Sequence, residues 1–373
     1  MRLLLPFALL AAACVAPGDR QAGSDYPDSL WTFQRVGANA LVVRRGFRVE
    51  IVARDLVDAR GLALGPAGEV FVTQRRPGIV TRIPAGGTAP ASPLRRDLRH
   101  PHGIAFRGDT LWVAEEHQVI RSAPPYTLVD TVVRDLPSGA GHSTRTIAFR
   151  DNHLYVSVGS SCNLCDEADP RRAAILRYEI VDVRATHASP LLYATGLRNS
   201  VGLAVHPATG DLWATNNDRD RLGDDRPPDR VNHVVEGGWY GWPQCYLPDS
   251  ANPEYADASC ASARGPAITL GAHTAPLGLA FYTANAFPAG YRGGMFIALH
   301  GSWDRSFPVG YKIVFVPFAD GQPAGPPEDF LVGWLAGRQF WGRPVDVLVM
   351  PDGALLVSDD ESGRLYRVTW EGT

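Results

Sequence analysis

Long apolar runs, a strong charge of either sign and a second close cysteine pair are all missing from this 373-residue chain, and each absence excludes something. The apolar run near the start, Leu3 to Ala13, is too short to span a bilayer. A formal charge of -3 predicts no strong attraction to nucleic acid or anionic lipid. Cys162 and Cys165 form one CxxC, but no partner pair lies at zinc-site spacing, which disfavours a zinc knuckle. Asp166 follows Cys165, so the CxxCH of haem attachment is absent too.

What is present points to short strands and tight turns, because 38 Gly and 30 Pro suit turns and break helices. Arg2 followed by the apolar run reads as an export signal over residues 1–13. Ala11 to Ala13 stand directly before Cys14, as at a bacterial lipoprotein processing site, so lipidation of Cys14 is expected, with a plain secretory peptide as the alternative. Residues 14–46 read as a tether and N-terminal extension, rich in Pro, Gly, Asp and Ser up to about Asp28. An exported chain meets an oxidising compartment, the periplasm. Of three possible pairings, sequence proximity favours Cys162 with Cys165 and Cys245 with Cys260.

One pattern recurs: a small residue, an apolar triplet, a turn, then an alternating strand. It starts at Gly61, Gly103, Thr146, Gly202, Gly278 and Asp346, so the starts lie 42, 43, 56, 76 and 68 residues apart. A base period of about 40 to 45 residues is that of a four-stranded propeller blade, so six copies predict an all-β, six-bladed β-propeller over 47–373. The last copy lacks its outer strand, and FRVEIVA, Phe47 to Ala53, is expected to supply it and close the ring.

In such blades the loops before the first strand and after the second emerge on one face. Before the first strands stand Arg60, His102, His142 with Arg145, Arg198 with Asn199, His273 and Arg343. After the second strands stand Gln74, Glu115, Glu116, His117, Asn217, Asp218, Trp303, Asp304, Arg305, Asp359 and Asp360. A single loop arginine or histidine is usually just solvated, but six units aiming such groups at one mouth suggest a polyanionic ligand on the axis. Arg60 and His117 read as surface residues; His153, His206 and His233 read as structural. Trp112, Tyr155 and Trp213 share one repeat position and read as core.

At these residues the chain resembles the soluble PQQ-dependent sugar dehydrogenases, in their glucose/sorbosone dehydrogenase branch. The likeness rests on GHSTRTIAF, YVSVGSSCNLCDE, GLRNSVGLAVHP, VNHVVEGGWYGWP, HGSWDRSFPVGYKIVFV and GRPVDVLVMPDG, and it spans about Phe47 to Trp370. It implies pyrroloquinoline quinone (PQQ) over the axis, a calcium ion, and oxidation of a sugar or sugar-derived aldehyde. By resemblance His142 is the catalytic base, Arg198 and Asn199 meet the quinone oxygens, and Arg343 holds a cofactor carboxylate. Asn217 begins the loop in which the main-chain carbonyls of Asp218 and Arg219 hold calcium, and His102 takes a polar place over the cofactor. Arg305 is the only candidate for a lysine that relatives set on the cofactor. Two carboxylates of the glucose-oxidising relatives are replaced by Gly141 and Ser160, with Asp166 a candidate substitute.

These residue types suit the chemistry: guanidinium groups pair with carboxylates, calcium takes oxygen ligands, and a neutral imidazole accepts a proton. Electrons would leave to a separate acceptor, since no haem motif accompanies the site. The partners expected are thus a small sugar or aldehyde and that acceptor; no nucleic acid is expected, and a membrane only through a lipid anchor. Two other readings stay open, a calcium-dependent lactonase-like propeller and a non-enzymatic propeller binding module.

Overall fold

A computed structural model describes residues 26–87, 90–181, 184–185 and 190–372. The export signal, Cys14 and the tether before residue 26 therefore lie outside the described residues. Among those described there is no α-helix, only three short 3-10 turns, and the strands form six blades, antiparallel except where the short strand Gly238–Trp239 joins the third in parallel. The first strands are Ala59–Leu64, Ile104–Arg107, Ile147–Arg150, Leu203–Val205, Pro276–Phe281 and Pro344–Val349. Each touches the next around a ring, and the sixth returns to the first.

The small residue that opens most repeats is explained at this ring. A Cβ on Gly61 would overlap the main-chain oxygen of His102, and one on Gly202 would overlap that of Leu277, each in the next blade. Neighbouring backbones come this close only where a side chain is missing. A hydroxyl on the second strand then links the blades. Thr73 accepts from the Gly61 amide at 2.9 Å and donates to the His102 carbonyl at 2.7 Å. Thr215 accepts from Gly202 at 2.7 Å and donates to Leu277 at 2.8 Å. Ser358 donates to the Arg60 carbonyl at 2.7 Å and so joins the sixth blade to the first. Where the glycine is replaced, the substitute makes the link itself: Thr146 donates to the Val201 carbonyl, and Asp346 accepts from the Leu62 amide at 2.8 Å.

Phe47–Ala53 closes the ring as expected, pairing antiparallel with Arg364–Trp370 in the register Phe47 to Trp370 and Val49 to Val368. The preceding segment does more than tether. Trp31–Val36 and Asn39–Arg44 form a hairpin that extends the fifth blade, with Val42 opposite Val332. The N-terminal chain therefore stitches two neighbouring blades. Trp112, Tyr155 and Trp213 are buried as core, and both disulfides pair as expected, Cys162 with Cys165 and Cys245 with Cys260.

Phe47 is the apolar anchor of closure. It is 3% exposed, and its ring lies 4.7 Å from Phe287, 5.0 Å from Phe330 and 4.8 Å from Trp370, centroid to centroid. Phe47→Ala is expected to cost about 3 to 5 kcal/mol, read from the midpoint of urea unfolding, and deletion of residues 47–53 should abolish a single cooperative transition. A loss below about 1 kcal/mol for the point variant would mean that closure does not rest on this strand.

Candidate active site

The loops before the first strands and after the second strands surround a cavity of about 530 Å³ at the axis. Five units line it, with Arg60, His142, Arg198, Asn199, Asn217, Asp218, His273, His300, Trp303, Arg343 and Asp360 among the walls. Val201 and Leu277 reach it from below and pack with Val345 into an apolar floor. Beneath that floor a second axial cavity of about 280 Å³ runs between the first strands.

His142 sits five residues before its strand, on a loop held from behind by two guanidinium groups. Arg145, fully buried, donates to the carbonyls of His142 and Thr144 at 2.8 Å each and to that of Pro137. Arg172 donates to Ser138 at 3.1 Å and Ala140 at 3.2 Å. The imidazole Nδ1 lies 3.0 Å from both the carbonyl and the hydroxyl of Ser160. A carbonyl only accepts, so Nδ1 carries the proton and the neutral ring leaves Nε2 with a bare lone pair. The Ser160 hydroxyl donates its own hydrogen bond to the Cys162 carbonyl at 2.7 Å, which leaves its oxygen free to accept. The orienting role offered to Asp166 falls instead to Ser160, for Asp166 is exposed and faces Tyr255. Enclosure by the walls, aided by the Arg198 charge, holds the His142 pKa down at about 3.

Arg198 is 4% exposed and every N–H it has is committed. Nε and Nη2 reach the Asn163 main-chain and side-chain oxygens at 3.0 and 2.9 Å, and Nη2 also pairs with Asp220 at 3.1 Å. Nη1 reaches the carbonyls of Asp218 at 2.7 Å and Asn217 at 3.3 Å. Asn163 lies between the two cysteines of the CxxC, so that disulfide brackets the residue that fixes Arg198. What Arg198 offers the cavity is charge, not a spare donor.

Arg343 differs. Nε and Nη2 donate to the carbonyls of His300 at 3.2 Å and Gly301 at 2.7 Å, while Nη1 has no acceptor among the described residues. Its guanidinium lies over the rings of Tyr311 and Phe340, at 5.6 and 5.3 Å. Elsewhere in the cavity lining, the Asn199 side-chain oxygen is buried without a hydrogen-bond partner among the described residues. Buried polar atoms are rarely left so unless a ligand meets them.

Several expectations need correcting. Arg60 is not a surface residue: it is 5% exposed, lines the cavity, pairs with Asp360 at 2.7 Å and donates to His102 Nδ1 at 3.2 Å. His102 is thereby turned beneath Arg60 and lines the lower cavity instead of the upper one. Glu115 and Glu116 are buried against the chain at Arg99 and Gly139, so the second unit contributes nothing to the upper wall. Arg305 also stays outside the wall, bonded to the Asp224 carbonyl and to Asp225. Of the two residues assigned main-chain ligation, Asp218 lines the cavity, while Arg219 is not in its wall and sends its side chain to Glu254 at 2.5 Å. His206 packs on Phe281, and His233 stacks on Trp213, as structural residues do.

His300 went unnoticed in the sequence, although it stands directly after the second strand of the fifth unit, on the active face. Its Nε2 lies 2.9 and 3.0 Å from the Asp360 oxygens. Burial pushes its pKa down to about 4, and Asp360, facing both His300 and Arg60, is held well below the usual carboxylate range although burial alone would raise it. The cavity is also less cationic than the loops suggested. Asp58 faces Arg75 and Arg76, Asp360 faces Arg60, and Asp220 faces Arg198.

A model of the TrAA12-like family matches the chain over residues 41–248 and 247–371. An uncharacterized protein of Borreliella burgdorferi is 30% identical, over 89% of this chain and 92% of that one. A pyrroloquinoline quinone-dependent pyranose dehydrogenase of Coprinopsis cinerea is 27% identical over 87% of this chain, which spans about half (54%) of that protein's length. A pyrroloquinoline quinone-dependent sugar dehydrogenase of Hypocrea jecorina is 27% identical over 88% of this chain and 89% of its own. In fold, the chain matches the holo form of the pyranose dehydrogenase PQQ domain from Coprinopsis cinerea with a TM-score of 0.77 at 24% identity, covering 90% of this chain and 98% of that one.

The geometry fixes one histidine state that can be read directly. Nitrogen NMR of the imidazoles should find His142 as the neutral Nδ1-protonated tautomer from pH 8 down to about 4, the side of the titration above its depressed pKa of about 3. In an unfolded chain the same ring titrates near the ordinary value of 6.5. Protonation therefore favours the unfolded chain, and this group costs the fold stability as pH falls below 6.5. A titration of His142 centred near 6.5 in the folded protein would overturn the assignment.

Proposed function

The chain belongs to the TrAA12-like family, and from that premise we propose that it is a PQQ-dependent quinoprotein that oxidises a sugar or sugar-derived aldehyde. The observation that carries this reading is the pairing, across one cavity, of a base with a bare Nε2 at His142 and a guanidinium with an uncommitted edge at Arg343.

The residues fit the cofactor. A cavity of about 530 Å³ is within the range of small-molecule sites. Arg343 Nη1 is a donor in want of a carboxylate, and the orphaned Asn199 amide is a polar group in want of a partner. Bound PQQ would supply an electron-pair acceptor, its quinone, together with three carboxylates. Arg198, with all its N–H groups spoken for, acts as fixed positive charge facing developing negative charge, at no cost of reorganisation. Calcium fits at the Asp218 carbonyl, which keeps a second lone pair beside its bond to Arg198, and there a hard cation would polarise a neighbouring carbonyl oxygen.

His142 performs the proton step. Its Nε2 takes the proton of the substrate hydroxyl on the carbon being oxidised, which lets the hydrogen of that carbon depart with its electron pair. Keeping the ring neutral is the work of enclosure and of Arg198.

Substrate choice within the class follows from Gly141. Its φ is +62°, and a Cβ there would overlap the Ser160 carbonyl, so the carboxylate that glucose-oxidising relatives carry beside the base has no room. The sugar is instead met by the uncharged Ser143 and Thr144 next to the base and by Trp303, 68% exposed in the cavity wall. This favours pyranoses in general, or sorbosone-type aldehydes, over strict glucose specificity. Electrons leave to a separate acceptor, and the chain works after export to the periplasm.

Reconstitution of the purified chain with PQQ and Ca²⁺, followed by a dye-linked screen of pyranoses, sorbosone and simple aldehydes, tests the class and the substrate together. His142→Ala should lower turnover about 10²- to 10⁴-fold with PQQ binding retained in a fluorescence titration. Arg343→Ala should weaken that binding roughly ten- to hundred-fold. Near-normal turnover in the first variant would remove His142 from the mechanism.

A further inference from the structure

At the edge of the cavity, on the side of the fourth and fifth blades, three metal-ligating side chains converge without serving the chemistry above. One ligand atom each from Asp220, His273 and Asp304 lies within 4.8 Å of the others. The His273 side chain is 4% exposed. Its Nε2 is 2.8 Å from the Gly223 carbonyl and must donate to it. In the neutral ring this leaves Nδ1 as a buried lone pair, and that atom faces Asp220 Oδ1 at 3.9 Å, acceptor against acceptor.

The two carboxylates are held in the same manner, each by one oxygen. Asp220 gives Oδ2 to Arg198 at 3.1 Å, and Asp304 gives Oδ2 to the Arg221 amide at 2.6 Å. One oxygen on each is left over. No guanidinium occupies the space between them, because Arg198 approaches Asp220 by its other oxygen and Arg305 is engaged by Asp224 and Asp225. A buried imidazole lone pair and two carboxylate oxygens, each anchored by its far atom, are what a divalent cation requires of its ligands and their supports.

We infer that Asp220, His273 and Asp304 form a site for one divalent transition-metal cation of the zinc or manganese type, distinct from any cation bound through main-chain oxygens at Asp218. The imidazole nitrogen decides the class. Calcium and magnesium take oxygen donors, whereas one nitrogen with two carboxylates suits zinc, manganese or cobalt. The site shares Asp220 with Arg198, so its occupancy is coupled to the charge that Arg198 presents to the cavity.

Calorimetric titration of the full chain with Zn²⁺ in millimolar Ca²⁺, with no PQQ and no sugar present, tests the site apart from the proposed redox activity. The expected result is one equivalent bound that Ca²⁺ does not displace. Asp304→Asn, which keeps an oxygen for the Arg221 amide, should weaken binding at least ten-fold, and His273→Gln should do the same with loss of the nitrogen-coordinated d–d spectrum of Co²⁺. Failure of Zn²⁺ to bind, displacement by Ca²⁺, or binding unchanged in both variants would overturn the inference; an unaltered melting curve of Asp304→Asn guards against a folding artefact.

Discussion

Close approach of neighbouring blades at the axis is the constraint from which the rest of this molecule follows. The missing side chains at Gly61 and Gly202 let adjacent backbones come within bonding reach, and the hydroxyls of Thr73, Thr215 and Ser358 lock that approach. Each such bond is worth only about 1 kcal/mol net. Their larger effect is geometric, since they fix the end of every first strand relative to the next. Loops just before those strands are thereby brought to the axial mouth. His142, Arg198 and Arg343 belong to three different blades, and this register is what brings them to one cavity.

Much of that was legible because repeat period and glycine position are properties of the chain itself. The six units, the closing strand from Phe47 and both disulfides could be read from spacing alone. His142, Arg198, Asn199 and Arg343 were legible because each stands in the few residues just before a first strand, His142 and Arg198 at the same offset. What escaped notice depends on partners distant in sequence. Arg60 reads as solvated until Asp360, 300 residues away, is seen to pair with it. That pairing also draws His102 under Arg60 and out of the wall, which no local pattern encodes. The hairpin at Trp31–Val36 and Asn39–Arg44 was hidden for a similar reason. Its strands are short, and their partner, Glu328–Val332, lies near the other end of the chain.

Charge at the site is better described as arranged than as accumulated. Reading the loops alone suggested a field of cations, yet Arg60, Arg75, Arg76 and Arg198 all face acids. Buried guanidinium groups need such partners, because an unpaired buried charge costs far more than a paired one. Arg343 has no carboxylate within ion-pair reach among the described residues, and its Nη1 meets no acceptor there, so it can anchor an anion while Arg198 contributes charge alone. A ligand with several carboxylates is thereby oriented, with one acid anchored there and the rest of the molecule left to lie between that anchor and His142.

The protonation of His142 shows how one loop can replace a missing residue type. A carboxylate behind an imidazole both orients it and raises its basicity; the Ser160 carbonyl and hydroxyl orient it equally well but add no full charge. Meanwhile the buried Arg145 and Arg172, which hold the loop by its carbonyls, each push the imidazole pKa further down, after burial and Arg198. The result is a base that is always unprotonated at working pH yet intrinsically weak. Such a base serves best where the substrate proton becomes acidic as its carbon loses an electron pair, since proton transfer then follows the charge instead of having to lead it. Polarisation by a strong electron acceptor and by positive charge in the wall is therefore not an addition to this site but the condition under which its histidine can act.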